Sequence, residues 1–562
     1  MLEIRPPLRL ISYWKRLKDL VVTRLWYPLI AQKIKRDFPE KIVLAANNII
    51  DGHTVFAAQD HPDEDAWLVP MVGGVRPHNP GDPDAFNDPY CITGWHMDRH
   101  PGNCLYDSTD FAPRLSRFGN RRWNEYLPLR LSERTDWDLY DGTFWDSWAS
   151  GLWSNADKAD FDRNGVADGT SLAFERWLDG NRRIIENMRA AVPVGKEINV
   201  AHESGSDEYV YLNGKGFEFW KGFHWQWVFD TELMPYAQNA VEPRVNFVEG
   251  QVSSPENYSR MRFGLTTAML ADAYFSVEQA GGVHQFDYHY DEFTADIGFP
   301  IGAPQPIRPG LYVRYFTHGA VITNGSGNPQ TIRAADLQGR FYRFQGGQQP
   351  NFNNGDEVTD DNPVNLSGSG APDHLEQQTG DGILLFKEPG MLLVTDIIVD
   401  NVARNLTSPG SNPAIYQGTW RQQDMGSLDA DTTLGYALLF GWGEFSEPYA
   451  VNLNTNNSAD PNASARYQPT IGVGGSYEIS LWHPDLQQDL NRPACKNVTA
   501  EIVHAGGTSF RTIDQQSGAG LWKSLGTYTF RNDNSSYVNL RAGSDPTNCV
   551  TASDSIRFVY RN

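Results

Sequence analysis

The sequence predicts a multidomain chain: a (β/α)8 TIM barrel over residues 1–308, then two β-sandwich domains over 309–393 and 394–562. Three observations predict it. Short apolar runs alternate with helical or loop segments up to about residue 308. Beyond it helical periodicity stops, and short alternating runs set off by Gly, Asn, Asp and Pro take over. A length of 562 residues, 40% hydrophobic and 21% charged, suits several ordinary globular domains.

In chain order, 19–26 (DLVVTRLW) reads as a strand and 29–38 as a helix stopped by Pro39. KIVLAANN (41–48) and AWLVPM (66–71) are further strands, followed by a long Gly-, Pro- and His-containing loop. A helix is expected around 121–131. The focal strand is Asp138–Trp148, DLYDGTFWDSW, with a carboxylate at its entry (Asp141) and another at its exit (Asp146). An amphipathic helix over 176–193 ends at Pro193. Strands at 197–203, 216–220, 244–250 and 273–278, with a helix at 258–272, bring the strand count to eight. GLYVRYF, GAVITN, GRFYRF and DGILLF mark the first β-sandwich; SYEISLWHP, NVTAEIVHAGG, SLGTYTF and SIRFVY mark the second.

The 17 Trp, 24 Tyr and 28 Phe fit either β-rich cores or aromatic platforms for sugars. A net charge of −22 argues against nucleic acid and against anionic membranes, whose phosphates need clustered cations. The four cysteines fall in two local pairs, Cys91/Cys104 and Cys495/Cys549, and match no zinc spacing. Two disulfides in an oxidising compartment are expected, with buried free thiols the alternative. No stretch is long and apolar enough to span a bilayer, so no membrane insertion is expected. The N-terminus lacks a secretory signal pattern, so an extracellular or cell-surface location implies an export signal removed from this numbering or another route. The Asn-x-Ser/Thr sites at Asn405 and Asn497 decide nothing by themselves.

Side chains leaving parallel strands at their C-terminal ends converge on one face of a barrel. Here those positions carry Asp146, Glu203, Glu218, Glu249 and Glu278. Glycoside hydrolysis needs two carboxyl groups across the scissile bond, one charged and one protonated. Partial burial among Trp220, Trp225 and Trp227 is expected to raise the pKa of Glu218, while Trp145, Trp148 and Trp153 flank Asp146. A lone strand-end Asp is more often a helix or loop cap; several acids at one rim beside tryptophans are not. His202 stands at a strand exit where it can contact substrate. The other histidines, His96, His100, His284 and His289 among them, follow no HExxH or facial-triad spacing, and no Gly-x-Ser-x-Gly elbow is present.

Asp160, Asp162, Asn164, Val166 (through its carbonyl) and Asp168 occupy alternate positions with Gly165 at the sharp turn. This is the spacing of an EF-hand-like loop, so a structural Ca2+ is expected. Position twelve is Ser171 rather than a bidentate Glu, which leaves a weaker or partly hydrated site; a solvated Asx-rich turn is the alternative.

DGTFWD, DFDRNGVAD, NGKGFEFW, HYDEFTADIGFPIG and GLYVRYFTHGAVITN together resemble a family of glycoside-hydrolase-like barrels distantly akin to polygalactosaminidase and α-galactosidase barrels. The resemblance covers roughly residues 15–390. It implies Asp146, leaving the fourth strand, as nucleophile and Glu218, leaving the sixth, as proton donor. It also implies Asp141 as a supporting residue, and matches Asp291 and Glu292 to a YDE motif that is either catalytic or joins barrel to sandwich. Large retaining β-glycosidases instead place their acids on strands four and seven, which would favour Glu249; their Asn-Glu pair is Trp145-Asp146 here. IIVDN, GTW, SYEISLWHPD, IVHAGGT, WKSLGTYTF and ASDSIRF resemble the golvesin or xanthan-lyase type of carbohydrate-binding module over about 394–562.

These readings imply a secreted hydrolase acting on a poly- or oligosaccharide through Asp146 and Glu218, with Trp145, Trp148, Trp220 and Trp225 as sugar platforms and no organic cofactor. A non-catalytic glycan-binding protein on a degenerate barrel, or a structural surface-assembly protein, would carry many of the same features.

Overall fold

The computed structural model describes residues 20–24, 31–32, 35, 41–48, 64–73, 105–146, 148, 151–152, 155–202, 204–218, 225–254, 256–279, 290–295, 297–346, 348–368, 380–389, 396–401, 413–427, 448–454, 463–471, 474–484, 486–487, 491–519, 522–531, 535–543 and 549–561. The chain is multidomain and mostly β, with a few helices.

Its first part is a parallel sheet of seven strands in sequence order: β1 (Leu20–Arg24), β2 (Ile42–Asn48), β3 (Gly142–Asp146), β4 (Ile198–His202), β5 (Gly214–Glu218), β6 (Phe247–Val252) and β7 (Tyr274–Gln279). The eight-strand expectation is corrected to seven among the described residues, with no pairing of β1 to β7 to close them into a barrel. AWLVPM is the strand that fails. Glu64–Trp67 is a 3-10 turn, and Leu68 and Met71 make only isolated bridges to Tyr106 and Ala159. Trp67 instead enters a cluster with Phe118, Trp123 and Tyr126, and Pro70 has no N–H to give a ladder. Asp146 therefore ends the third strand and Glu218 the fifth.

Helices α1 (Trp123–Arg134) and α2 (Thr170–Ala191) pack against each other, with Gly180 of α2 so close to Ser108 that a Cβ would fall 2.4 Å from its Oγ. After β5 a continuous helical stretch joins α3 (Trp225–Val228), a π turn at Phe229–Leu233 and α4 (Met234–Asn239). Pro235 cannot donate to the preceding turn, which accounts for the widening just before it. Helix α5 (Tyr258–Leu270) is buried along most of its length, because the sheet covers one side and the next β region covers the other.

That region is a five-stranded antiparallel sheet, in which β8 (Gln305–Arg308), β9 (Leu311–Tyr315), β10 (Gly319–Asn324), β12 (Tyr342–Arg343) and β14 (Asp381–Phe386) run in the order β12-β14-β10-β9-β8. A pair of short strands, β11 (Gln330–Ile332) with β13 (Val364–Leu366), faces it. Alternation divides the central strands between two cores. Ile322, Ile383 and Leu385 pack with Ile332, Val364 and Leu366, whereas Val321, Leu384 and Phe386 join the core beneath α5.

The last part is a β-sandwich. A four-stranded sheet (Asp396–Val399, Ser555–Arg561, Gly475–Trp482, Lys523–Phe530) packs on a five-stranded one (Ile415–Gln417, Ser464–Tyr467, Tyr537–Arg541, Val498–His504, Gly507–Ile513). Three more strands, Arg421–Ser427, Pro448–Asn454 and Thr551–Ser553, form a separate ribbon. Cys495 and Cys549 are disulfide-bonded, as expected, while Cys91 and Cys104 lie outside the described residues.

Candidate functional site

Leu44, Ala46, Phe144, Ile198 and Val200 form the inner face of the parallel sheet, with Phe247 against them. At its C-terminal edge His202 is 7% exposed, its ring centre 5.9 Å from Phe144 and 6.5 Å from the near-parallel Phe247. Gly216 makes this possible: a Cβ there would lie 2.9 Å from the His202 ring and 2.4 Å from Phe247. His202 is thus wedged between two aromatic rings at the strand exit the sequence indicated.

Position 146 closes β3 opposite Asn48, and position 218 closes β5 opposite Glu249 of β6. His202 pairs with Gly216, so position 218 lies two residues beyond the level of His202. With about 4.8 Å between strands and about 3.3 Å per residue, the Cα atoms of Asp146 and Glu218 stand about 12 Å apart, and those of Glu218 and Glu249 about 4.8 Å. Glu278 on β7 pairs with Gln251 one strand further. The register therefore places Asp146 level with His202, Glu218 level with Glu249 two residues further along the strands, and Glu278 two residues beyond that. Glu203, Trp153 and Trp220 lie outside the described residues.

Asp141 sits at the opposite, N-terminal end of β3. Its carboxylate accepts from the Val43 N–H at 2.9 Å and from Lys196 Nζ at 3.2 Å, and it also pairs with Lys35. It anchors β3 to β2 and is remote from the C-terminal edge.

The tryptophans expected as sugar platforms need correction. Trp145 is 0% exposed and donates to Asn199 Oδ1 at 2.9 Å; Trp148 is 1% exposed and donates to Glu208 Oε1 at 3.0 Å. Trp225, also 1% exposed, stacks on Phe229 and donates to Thr267 Oγ1 at 3.1 Å. Each satisfies its N–H inside the core, where a bulky ring contributes most, and none presents a face to solvent.

Glu208 was not singled out from the sequence. It is buried and accepts from Trp148, the Tyr211 hydroxyl and the Gly205 N–H. Burial pushes its carboxyl up, against the pull of these donors and of Lys215. Lys215 in turn pairs with Glu232 and donates to the Ser204 carbonyl, and Tyr236 joins Ser204 to the Gly205 carbonyl. This buried network holds the loop that follows β4. No periodicity marks it in ESGSDEYVY; a Glu in a Gly/Ser turn just after a strand was the one available signal.

Asp291 and Glu292 join the first two parts of the chain. Asp291 exchanges hydrogen bonds with Gln348, its N–H to Oε1 at 2.9 Å and its Oδ2 from the Gln348 N–H at 2.7 Å. Glu292 Oε1 accepts from Asn353 at 2.8 Å, and burial raises its carboxyl against the opposing charge of Arg262. Phe293 packs edge-on against Phe275 of β7, whose ring also meets Gly264 of α5. The YDE segment thus lies in the layer between α5 and the second β region.

In the acidic loop, oxygens of Asp160, Asp162 and Asp168 come within 4.8 Å of one another. Asp160 accepts from the N–H groups of Asn164 (3.0 Å) and Gly165 (2.9 Å), and Asn164 from that of Val166 (2.8 Å). Arg176 of α2 donates to Asp168 at 2.6 Å and to Asp162 at 2.9 Å, and this hydrogen bond lowers the Asp162 pKa. The oxygen set suits a hard divalent ion, but a guanidinium already engages two of its carboxylates. Arg163 of the same loop reaches Asp107, a buried carboxyl that desolvation raises to about 6.

Residues 439–560 match the family described as the Golvesin C-terminal domain, within the segment where the sequence resembles it. Xanthan lyase of Bacillus sp. (strain GL1) is 29% identical over 200 residues, covering 35% of this chain and 18% of that protein. The chain thus spans less than a fifth of that relative's length. Among solved structures, Paenibacillus xanthan lyase is 16% identical, with a TM-score of 0.22 over 47% of this chain and 25% of that one. A glycoside hydrolase family 5 protein from Bacteroides vulgatus is 10% identical, with a TM-score of 0.23 over 47% of this chain and 66% of that one. Likenesses this low define no common fold. Among the described residues no helix is long and apolar enough to cross a membrane.

Proposed function

We propose that the protein is a carbohydrate-active hydrolase of the cell exterior or surface, cleaving a poly- or oligosaccharide at the C-terminal edge of the parallel sheet. The observation that carries this reading is the register: Asp146, His202 and Glu218 end three neighbouring strands, and Glu249 stands level with Glu218 on the next. Glu218 is the proton donor, with Glu249 standing at the same level on the next strand. Asp146 is the nucleophile or base, its Cα about 12 Å from that of Glu218. His202, clamped between Phe144 and Phe247, orients substrate. Disulfide Cys495–Cys549 supports an oxidising compartment, and the net charge of −22 a partner other than nucleic acid.

The golvesin-type module binds or spaces the glycan. Ca2+, where present, is held by Asp160, Asp162, Asn164, the Val166 carbonyl and Asp168; it stabilises the loop and has no part in the reaction. The burial of Trp145, Trp148 and Trp225 leaves the proposed catalytic edge without these sugar platforms, which favours a second reading, a protein that binds glycan elsewhere on the chain without turnover. A screen of polysaccharides with the wild type, Asp146→Asn, Glu218→Gln and Glu249→Gln separates the two. Reducing-end release abolished by Asp146→Asn and Glu218→Gln supports hydrolysis, and retention without release supports the second reading.

A further inference from the structure

The solvent face of the five-stranded sheet in the C-terminal sandwich carries one continuous row of side chains. Register places Ile415, Arg466, Asn539, Glu501 and Phe510 side by side across all five strands. Their strand neighbours Ala465, Val538, Leu540, Ala500 and Ile502 are fully buried on the other face, so alternation turns this row outward. Both ends are open: Ile415 is 61% and Phe510 58% exposed.

The row is organised rather than merely exposed. The Arg466 guanidinium lies 3.7 Å from the centre of the Tyr537 ring, which holds its plane in place. Glu501 accepts from Arg541 Nε at 3.0 Å and from Asn539 at 3.3 Å. Glu501 is the one carboxylate in these five strands, and Arg466 and Arg541 share its face; Arg511, paired with Ala500, turns to the other side and donates to the Leu525 carbonyl. On a chain of net charge −22, a face with this balance is set apart.

We infer that this face binds an anionic polysaccharide laid across the strands, with Phe510 as stacking platform and Arg466 as carboxylate clamp. Four strand spacings give a track of about 19 Å, long enough for consecutive sugar rings. A guanidinium plane presents paired N–H donors that match a uronate carboxylate, and an open aromatic ring suits the apolar face of a pyranose. The inference rests on the carbohydrate-active reading for its class of ligand, but not on the barrel chemistry.

The test is affinity electrophoresis of the full chain through gels containing polygalacturonate or neutral dextran. Polygalacturonate retards the wild type and dextran does not; Phe510→Ala and Arg466→Gln each weaken retardation about tenfold, with unchanged thermal transitions. The doubly substituted Asp146→Asn, Glu218→Gln chain is retarded as strongly as the wild type, which separates this surface from the proposed active site. Absence of retardation, equal retardation by dextran, or full retardation of both Phe510→Ala and Arg466→Gln would overturn the inference.

Discussion

Arg262 of α5 and Asp381 of β14 form an ion pair at 2.9 Å with both side chains 3% exposed. The guanidinium also donates to the Gly382 carbonyl at 3.0 Å and to Gln349 at 2.6 Å, and lies 3.9 Å from the centre of the Phe352 ring. The parallel sheet and the following β region are therefore joined by a buried charge as well as by a shared apolar core. Removing one partner strands the other in a low dielectric. Arg262→Met is expected to cost about 3 to 5 kcal/mol in urea unfolding. Adding Asp381→Asn should restore much of it. Strictly additive losses would show that the two do not act as a pair.

Asp107 makes stability depend on pH. Its folded pKa of about 6 against the ordinary 3.8 means that the folded chain holds this proton more tightly. The contribution is complete below the unfolded value and is lost as pH rises through 6. Asp107→Asn, which does not titrate, should gain on the wild type by about 3 kcal/mol between acidic and neutral pH. Paired melting curves across that range check it; a constant gap, or one that closes, would contradict the assignment.

Cys495 and Cys549 are 54 residues apart in sequence, so their bond shortens the unfolded chain considerably. Replacing both by Ser is expected to lower stability by about 4 kcal/mol. The comparison is with the oxidised wild type, and a reducing agent should narrow the difference.

Arg176 pairs with Asp162 and Asp168, two of the carboxylates proposed to hold a divalent ion. Arg176→Gln should therefore raise calcium affinity, and calcium should shift its melting temperature more than that of the wild type. Titration calorimetry showing no binding to either protein would contradict the proposed ion site.

The C-terminal β regions were legible because their strands alternate and their turns are rich in Gly and Asn; GAVITN and DGILLF appear as strands where expected. They are buried on both faces because α5 covers one side, which no local pattern announces. AWLVPM looked like a strand because it is apolar, yet Trp67 finds better packing in an aromatic cluster. Trp145, Trp148 and Trp225 misled for a related reason: a large ring beside a strand end serves a core as readily as a sugar. Asp146 and Glu218 were visible as strand-end acids, whereas the neighbouring register of Glu218 and Glu249 emerges only from sheet pairing. Arg262 and Asp381 lie 119 residues apart and carry no signature of their contact.

The most direct test is product analysis on a cleaved polysaccharide with the wild type, Asp146→Asn and Glu218→Gln. The proposed pair predicts turnover in the wild type, a loss of at least about a hundredfold in each variant, and unchanged melting temperatures. Cleavage that persists in both variants would contradict the proposed site, and a wild type that cleaves no glycan would contradict the hydrolase itself.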